Sequence, residues 1–476
     1  MKENGYLHSF VADNRGTQND SGFRDDDEES DIAEEQTPEN NNNKNNIGNN
    51  INSFGVSTAT DDSCNKQKKT IFLTINESLC IINILASTLG VGCLVFPNIL
   101  YQIGIITSLI IFIFVSISVY FSLDLLRRFV DKSNSKSFSL ITQKTLGKFW
   151  FKIYIFSAFL FYMSCIINYI DTLYEFINSL TSNFFLQGWQ KIVYFIGSCF
   201  IEVILSVFTN KISTLHYLSL IVVFSFLIVI VFLIVKTIIS IKNDEFKSFS
   251  LFTIENGNTN NWKSFLLIMA KIIEFFYGYI YHSCFPTLLS GLSTINNSTT
   301  KKVHNISFSI LAIIYILISV FGCSFYEKDS YFILQNSNEL GNSVLEIILR
   351  CMLILIFITL IPIRYIIIRD NYTILIGQEL NLLYEILITS FCLIINNVIV
   401  GVAGDSKEFI SQLIHYFGGI LGVFICFVLP VIIFISIEKR TQFKAILGYI
   451  ITGIFVLIGF FSVFYNFQED GDGITN

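Results

Sequence analysis

The sequence is poor in charge: Lys, Arg, Asp and Glu together make up only 14% of its 476 residues. A soluble domain carries about 25% of such residues, so this chain has too little charge to cover a water-facing surface. Hydrophobic residues make up 52% of the chain, and the mean hydropathy is +0.60. The composition therefore excludes an ordinary soluble protein and predicts an all-α integral membrane protein whose helices contact the lipid bilayer.

Several motif classes are also missing. The ten cysteines form no CxxC pair and no Cys/His cluster with metal-ligand spacing, so neither a disulfide framework nor a bound metal is expected. No basic tract is dense enough to bind nucleic acid. There is no HExxH, no GxGD and no Ser/His pair in a suitable context, which argues against an enzyme and leaves an intramembrane enzyme as a minor alternative. No cofactor is expected other than a coupling ion.

The first 69 residues predict a disordered cytoplasmic tail. An acidic run covers Asp25–Glu29 and a nearly pure asparagine run covers Asn40–Asn50, and neither can form a packed core. The tail is a candidate binding segment for sorting or regulatory proteins. No apolar core follows Met1, so no cleavable signal peptide is expected. A transmembrane domain is predicted over residues 70–468, followed by a short acidic tail over 469–476.

About eleven apolar segments are long enough to span a membrane, which takes roughly 20 residues each. Positive residues fall on every second connection and predict an odd number of spans, with the N-terminus cytoplasmic and the C-terminus extracellular or lumenal. Which membrane holds the chain stays open. These residues are Lys66, Lys68, Lys69, Arg127, Arg128, Lys132, Lys136, Lys144, Lys148, Lys211, Lys301, Lys302, Arg364, Arg369, Lys439, Arg440 and Lys444.

The first and sixth of these segments contain helix-breaking residues. Gly90, Gly92 and Pro97 interrupt the first, and Gly278 and Pro286 interrupt the sixth. Glycine costs a helix interior about 1 kcal/mol and proline about 3 kcal/mol, and in lipid such a break persists only where it is buried in protein or lines a polar cavity. Because the second interrupted segment comes five segments after the first, an odd offset, the two interrupted helices run in opposite directions. This predicts a five-plus-five inverted repeat and one extra C-terminal helix.

The motif around the first break resembles that of a known family. Gly90–Pro97 has the form G-x-G-x-L-x-x-P, with Asn83 before it and Gly104 after it, as in the amino acid/auxin permease family. Further similar features are His282 and Pro286, the run Pro362–Arg364, and Gly418–Gly422 followed by Pro430. The resemblance covers about residues 71–467. It implies a sodium-leucine-transporter-like fold and secondary transport of amino acids by alternating access, as a symporter driven by protons or sodium.

The predicted site residues follow from the breaks and this resemblance. Free amides at Gly90 and Gly92 suit a substrate carboxylate, although close helix packing would also explain the glycines. Histidine in water titrates near neutrality, so His282 suits proton coupling, or it holds the unwound backbone as a neutral ring. The predicted substrate-binding residues are Ser87, Thr88, Gly90, Gly92, Tyr169, Tyr277, Gly278, Tyr279 and Tyr281. The predicted ion-coupling residues are Asn83, Ala86, Leu89, His282 and Thr359, and the predicted structural residues are Pro97, Pro286, Pro362, Arg364 and Pro430.

Two further expectations concern charge and function. Lys271 and Glu274, three residues apart, predict an ion pair or gate contact, expected on the inner side. The main functional alternative is an amino-acid sensor with a transporter-like body that signals through the acidic tail.

Overall fold

A computed structural model describes residues 73–133, 135–181, 188–208, 212–242, 261–323, 344–377, 381–403, 412–437 and 443–473. The tail predicted over 1–69 lies outside the described residues. Within these ranges the chain forms helices and no strand. They are α1 (Ile75–Thr88), α2 (Val91–Ile103), α3 (Ile105–Ser133), α4 (Phe138–Leu180), α5 (Trp189–Phe208), α6 (Ile212–Lys242), α7 (Asn261–Tyr277), α8 (Phe285–Leu289), α9 (Asn297–Cys323), α10 (Val344–Ile376), α11 (Leu382–Ala403), α12 (Ile414–Ile437) and α13 (Phe443–Gly473).

These helices supply the predicted spans. Nine of those in the described ranges are long and apolar enough to cross a membrane by themselves, and α1 with α2 forms a tenth, bent by 59° at its break. The pair α7 and α8 forms a second interrupted span in the sixth position. The prediction of about eleven spans, with the first and sixth broken, is therefore confirmed.

The contacts between helices follow the predicted inverted repeat. In the first half of the repeat α1 contacts α6, and in the second half α7 contacts α12 in the same way. The contact of α2 with α9 likewise corresponds to the contact of α7 and α8 with α3. Likewise α6 packs on α10 as α12 packs on α4. The repeat relates α4 to α10, and these two helices pack against each other at the centre of the helix contacts. The extra helix α13 packs on α7 and α12.

Three helices depart from the sequence-based expectation. α4 begins at Phe138, because a kink at Gly147, with φ of 84°, joins a short helix to the predicted span. α12 is π-helical over Ile414–Gly422 and Phe424–Val428, a form often found at functional sites, and returns to α-helix at Leu429, just before Pro430. α10 continues to Ile376 and contains both Pro362 and Arg364. Arg364 therefore lies in a helix and not in a connecting loop, where the sequence predicts it.

Candidate functional site

The first break is shorter than the sequence predicts. α1 begins with a capping box between Thr74 and Glu77 and ends at Thr88, where Leu89 turns to an extended conformation. Gly90 is also extended, with φ of −173°, and α2 resumes at Val91. Gly92 and Pro97 therefore lie inside α2 rather than in the break. Since an extended φ suits any residue, Gly90 is needed for space: a Cβ there would lie 2.5 Å from the Tyr169 hydroxyl oxygen.

The second break extends between the end of α7 at Tyr277 and the start of α8 at Phe285. Pro286 occupies the first turn of α8, where a missing backbone N–H costs nothing. The residues of the break are buried, and Tyr279, Tyr281 and His282 are each fully inaccessible. The predicted positions for this interruption are confirmed.

The two interrupted spans touch each other through glycine. A Cβ on Gly92 would lie 2.7 Å from the Gly278 Cα, and a Cβ on Gly278 would lie 2.5 Å from the Phe96 ring. Real Cβ atoms do not approach backbone atoms this closely, so a larger residue at either position would push the interrupted helices apart. Glycine at these two positions therefore allows the helices to approach closely, which is the alternative to ligand binding that the sequence also permits.

A tyrosine of α9 connects the backbones of both breaks. The Tyr315 hydroxyl donates to the carbonyl oxygen of Gly278 and also lies 3.3 Å from that of Thr88. Its ring packs edge-on against Phe96, with centroids 5.0 Å apart. Both carbonyls lie at helix ends and would lack a partner in lipid, so Tyr315 satisfies groups that the breaks release. Sequence reasoning missed Tyr315, because one tyrosine in an apolar segment gives no signal of its partners.

The helices α4 and α10 bring polar groups to the first break. Tyr169 of α4 packs its hydroxyl against Gly90 and accepts a hydrogen bond from Arg364 Nε of α10 at 3.1 Å. Arg364 is only 4% exposed. The structure thus places Tyr169, a predicted substrate residue, and Arg364, a predicted structural residue, at one point beside Gly90.

The three predicted tyrosines of the second break have different surroundings. Tyr277 accepts a hydrogen bond from Asn168 at 3.0 Å and donates to the Cys165 sulfur at 3.2 Å. The Tyr279 hydroxyl pairs with that of Ser116 at 2.9 Å. The Tyr281 hydroxyl is buried and has no hydrogen-bond partner among the described residues. Tyr281 is therefore the one of the three with unused hydrogen-bonding capacity.

The predicted hydroxyl ligands are used within their own helices. Ser87 and Thr88 both donate to the Ile84 carbonyl oxygen, at 2.9 and 2.6 Å, and Thr359 donates to that of Leu355 at 2.6 Å. Each hydroxyl keeps lone pairs that could still accept. Ala86 and Leu89 are fully buried beside them in the chain. Their predicted roles stay predictions.

Asn83 has a partner that the sequence does not reveal. Its amide nitrogen lies 2.8 Å from Nδ1 of His216, a partly buried residue of α6, while its carbonyl oxygen has no partner within the described ranges. A histidine beside a predicted coupling residue is a second candidate proton acceptor. His282, the predicted one, is fully buried and neither ring nitrogen has a hydrogen-bond partner in the described part of the chain.

A buried charged cluster lies on α7 and α12. Lys271 Nζ contacts both carboxylate oxygens of Glu274, at 2.8 and 3.0 Å, which confirms the predicted ion pair. His415 Nε2 lies 3.3 Å from Glu274 Oε1, and its Nδ1 lies 2.7 Å from the Ser462 hydroxyl. The pair precedes the second break. With the predicted cytoplasmic N-terminus this is the outer half of the sixth span, so an inner-side pair and a cytoplasmic N-terminus are incompatible predictions.

A cavity of about 50 Å³ lies beside the second break. It is lined from α1, α6, the second break, α8 and α10, and its polar walls include Asn83, Ser87, Ser283, Asp370 and Asn371. The α1 and α8 half-helices touch beside it, where the Cys80 thiol donates to the Leu288 carbonyl oxygen at 3.3 Å. The cavity is therefore shared by the predicted coupling residue Asn83 and the predicted substrate residue Ser87.

Solved structures with a similar fold include manganese transporters of Eremococcus coleocola. The complex with an aromatic bis-isothiourea substituted compound has a TM-score of 0.52 at 12% identity, covering 82% of this chain and 86% of that chain. One mutant of that transporter has a TM-score of 0.53 at 13% identity, with the same coverage. At this identity the likeness shows the fold alone. Residues 78–468 match the family described as transmembrane amino acid transporter protein, and the chain belongs to that family of membrane transporters.

Proposed function

We propose that this protein is a secondary active transporter that moves amino acids across a membrane by alternating access, coupled to a proton or sodium gradient. The observation that carries the proposal is the contact of two interrupted helices at Gly92 and Gly278. The broken ends are buried among polar side chains of α4, α9 and α10 rather than exposed to lipid. Such a centre can hold a polar solute while two groups of helices rock around it.

Coupling in this scheme is a mutual effect on affinity. An ion that stabilises the substrate-binding state raises the affinity for substrate, and substrate raises the affinity for the ion by the same factor. The Asn83–His216 contact at 2.8 Å supports a proton as the driving ion. A neutral His216 accepts from the Asn83 amide, whereas a protonated ring has no acceptor at Nδ1 and must donate, so Asn83 would have to turn its free carbonyl oxygen toward it.

The test is uptake of labelled amino acids into proteoliposomes that contain the purified full chain. A panel of amino acids is measured under an imposed proton gradient and, separately, under an imposed sodium gradient. Accumulation of an unmodified amino acid under one gradient is the expected result. Absence of uptake for every amino acid under both gradients would overturn the proposal, and chemical conversion of the label would favour an enzyme.

A further inference from the structure

Arg364 carries a buried charge that no acidic residue neutralises in the part of the chain that the structure describes. Its side chain is 4% exposed, and its one described hydrogen bond is from Nε to the neutral Tyr169 hydroxyl at 3.1 Å. Nη1 has no hydrogen-bond partner there. The acids that form described ion pairs, such as Glu274 and Glu385, pair with other cations. An uncompensated charge in a low-dielectric interior costs several kcal/mol, so an anion at this position would be strongly favoured.

The position of Arg364 relates it to both breaks. Its Nε partner Tyr169 is the residue whose hydroxyl lies against Gly90. The guanidinium carbon lies 5.9 Å from the ring centroids of Tyr162 and Tyr169, both on α4. Ile363, the residue before Arg364, lines the same cavity as Cys284 of the second break. The guanidinium is therefore oriented by aromatic rings on one helix, with free hydrogen-bonding capacity next to the interrupted backbones.

We propose that Arg364 binds the carboxylate of the transported amino acid through Nη1. A guanidinium presents several donors in one plane, and this arrangement matches a carboxylate better than a lysine ammonium does. The assignment rests on the proposed function and extends it, since it adds a fixed positive charge on α10 to the amides at the first break. It also lets the protein select amino acids over amines that carry the same side chain but no carboxylate.

The first experiment measures transport. The wild type is compared with Arg364→Lys, Arg364→Gln and the control Arg128→Gln, which removes an arginine of α3 whose described partner Asp124 keeps Arg127. The competitors are L-alanine, L-leucine and L-phenylalanine together with ethylamine, isoamylamine and phenethylamine. We expect Arg364→Gln to raise the KM for amino acid about tenfold or more and to lower the preference over amines by a similar factor, because a charged hydrogen bond is lost. Arg364→Lys should be intermediate, and the control should match the wild type.

The second experiment does not depend on transport. Thermal unfolding of the purified full chain is followed in sodium acetate, sodium chloride and sodium methanesulfonate at equal ionic strength. Acetate, the one carboxylate among the three anions, should raise Tm for the wild type and the Arg128→Gln control but not for Arg364→Gln. An equal effect of acetate on wild type and Arg364→Gln, or no effect on either, would overturn the proposal.

The two experiments separate the possible failures. If wild-type protein transports no amino acid but acetate stabilises it through Arg364, the proposed function fails and the carboxylate site remains. If chloride stabilises through Arg364 and acetate does not, the site binds a free halide, and the assignment to a substrate carboxylate is wrong. If Arg364→Gln transports amino acids with unchanged KM and unchanged preference over amines, Arg364 does not contact the substrate.

Discussion

A Cβ on Gly92 would lie 2.7 Å from the Gly278 Cα, so the two interrupted helices meet with no room for a side chain. Tyr315 holds the same junction from α9, through the carbonyl oxygens of Gly278 and Thr88. The junction joins the interrupted helices of the two halves of the inverted repeat, with Gly92 inside α2 and Gly278 in the second break.

Replacing Gly92 with alanine should abolish most transport while the protein still inserts. Alanine is a better helix former than glycine, so any loss must come from the contact with Gly278, where overpacking costs about 1–3 kcal/mol. The measurement is uptake into proteoliposomes, with insertion checked by the yield of folded protein. Gly453→Ala is the matched control, since a Cβ at that position of α13 meets nothing within 4 Å. Full uptake by Gly92→Ala would show that transport does not require the close approach of Gly92 to Gly278.

Replacing Tyr315 with phenylalanine should weaken the junction without disturbing its ring packing. The change removes the hydroxyl that reaches two buried carbonyl oxygens but keeps the edge-on contacts with Phe96 and Tyr279. We expect a loss of about 1–3 kcal/mol in the free energy of unfolding, because buried acceptors are left unpaired. Tm and uptake are the readouts. Tyr449→Phe, at an exposed position of α13, provides the control and should change neither.

Replacing His216 with glutamine should abolish the dependence of uptake on an imposed proton gradient. Glutamine can still form a hydrogen bond with Asn83, but it cannot take up a proton, so binding would persist while coupling is lost. Charged groups on the helices packed against α6 include Glu77 on α1, Lys302 on α9, and Arg369 and Asp370 on α10. Uptake is compared with and without a proton gradient. Loss of coupling in His282→Gln but not in His216→Gln would instead assign the proton to the second break.

Replacing Glu274 with glutamine should destabilise the fold strongly. It leaves Lys271 buried without its acid, and removing one partner of a buried pair costs about 3–5 kcal/mol. Arg128→Gln is the comparison, because Arg128 is 34% exposed and Asp124 keeps Arg127 as a partner, so its cost should stay within about 1 kcal/mol. Unfolding is followed by Tm. A similarly small decrease in Tm for both variants would mean that water screens the charges of Lys271 and Glu274.

The sequence by itself predicts the parts that depend on local composition. Apolar length predicts the spans, and glycine with proline marks the first and sixth as interrupted. It overestimates the first break, because Pro97 is accommodated inside α2 whereas the chain bends at Leu89 and Gly90. A helix-breaking residue shows where a break is tolerated, but the packing around it decides whether the helix actually opens.

Only the tertiary structure decides which distant residues meet. Tyr169 with Arg364, Gly92 with Gly278, and Glu274 with His415 are each pairs from separate helices. In lipid, helix contacts depend on shape and on scattered polar groups rather than on a hydrophobic stripe, so such pairs leave no periodic trace in the sequence. Hydropathy and helix-breaking residues were thus enough to predict an all-α membrane fold with two interrupted helices. The unpaired charge of Arg364 beside the first break became visible only when the helices were packed together.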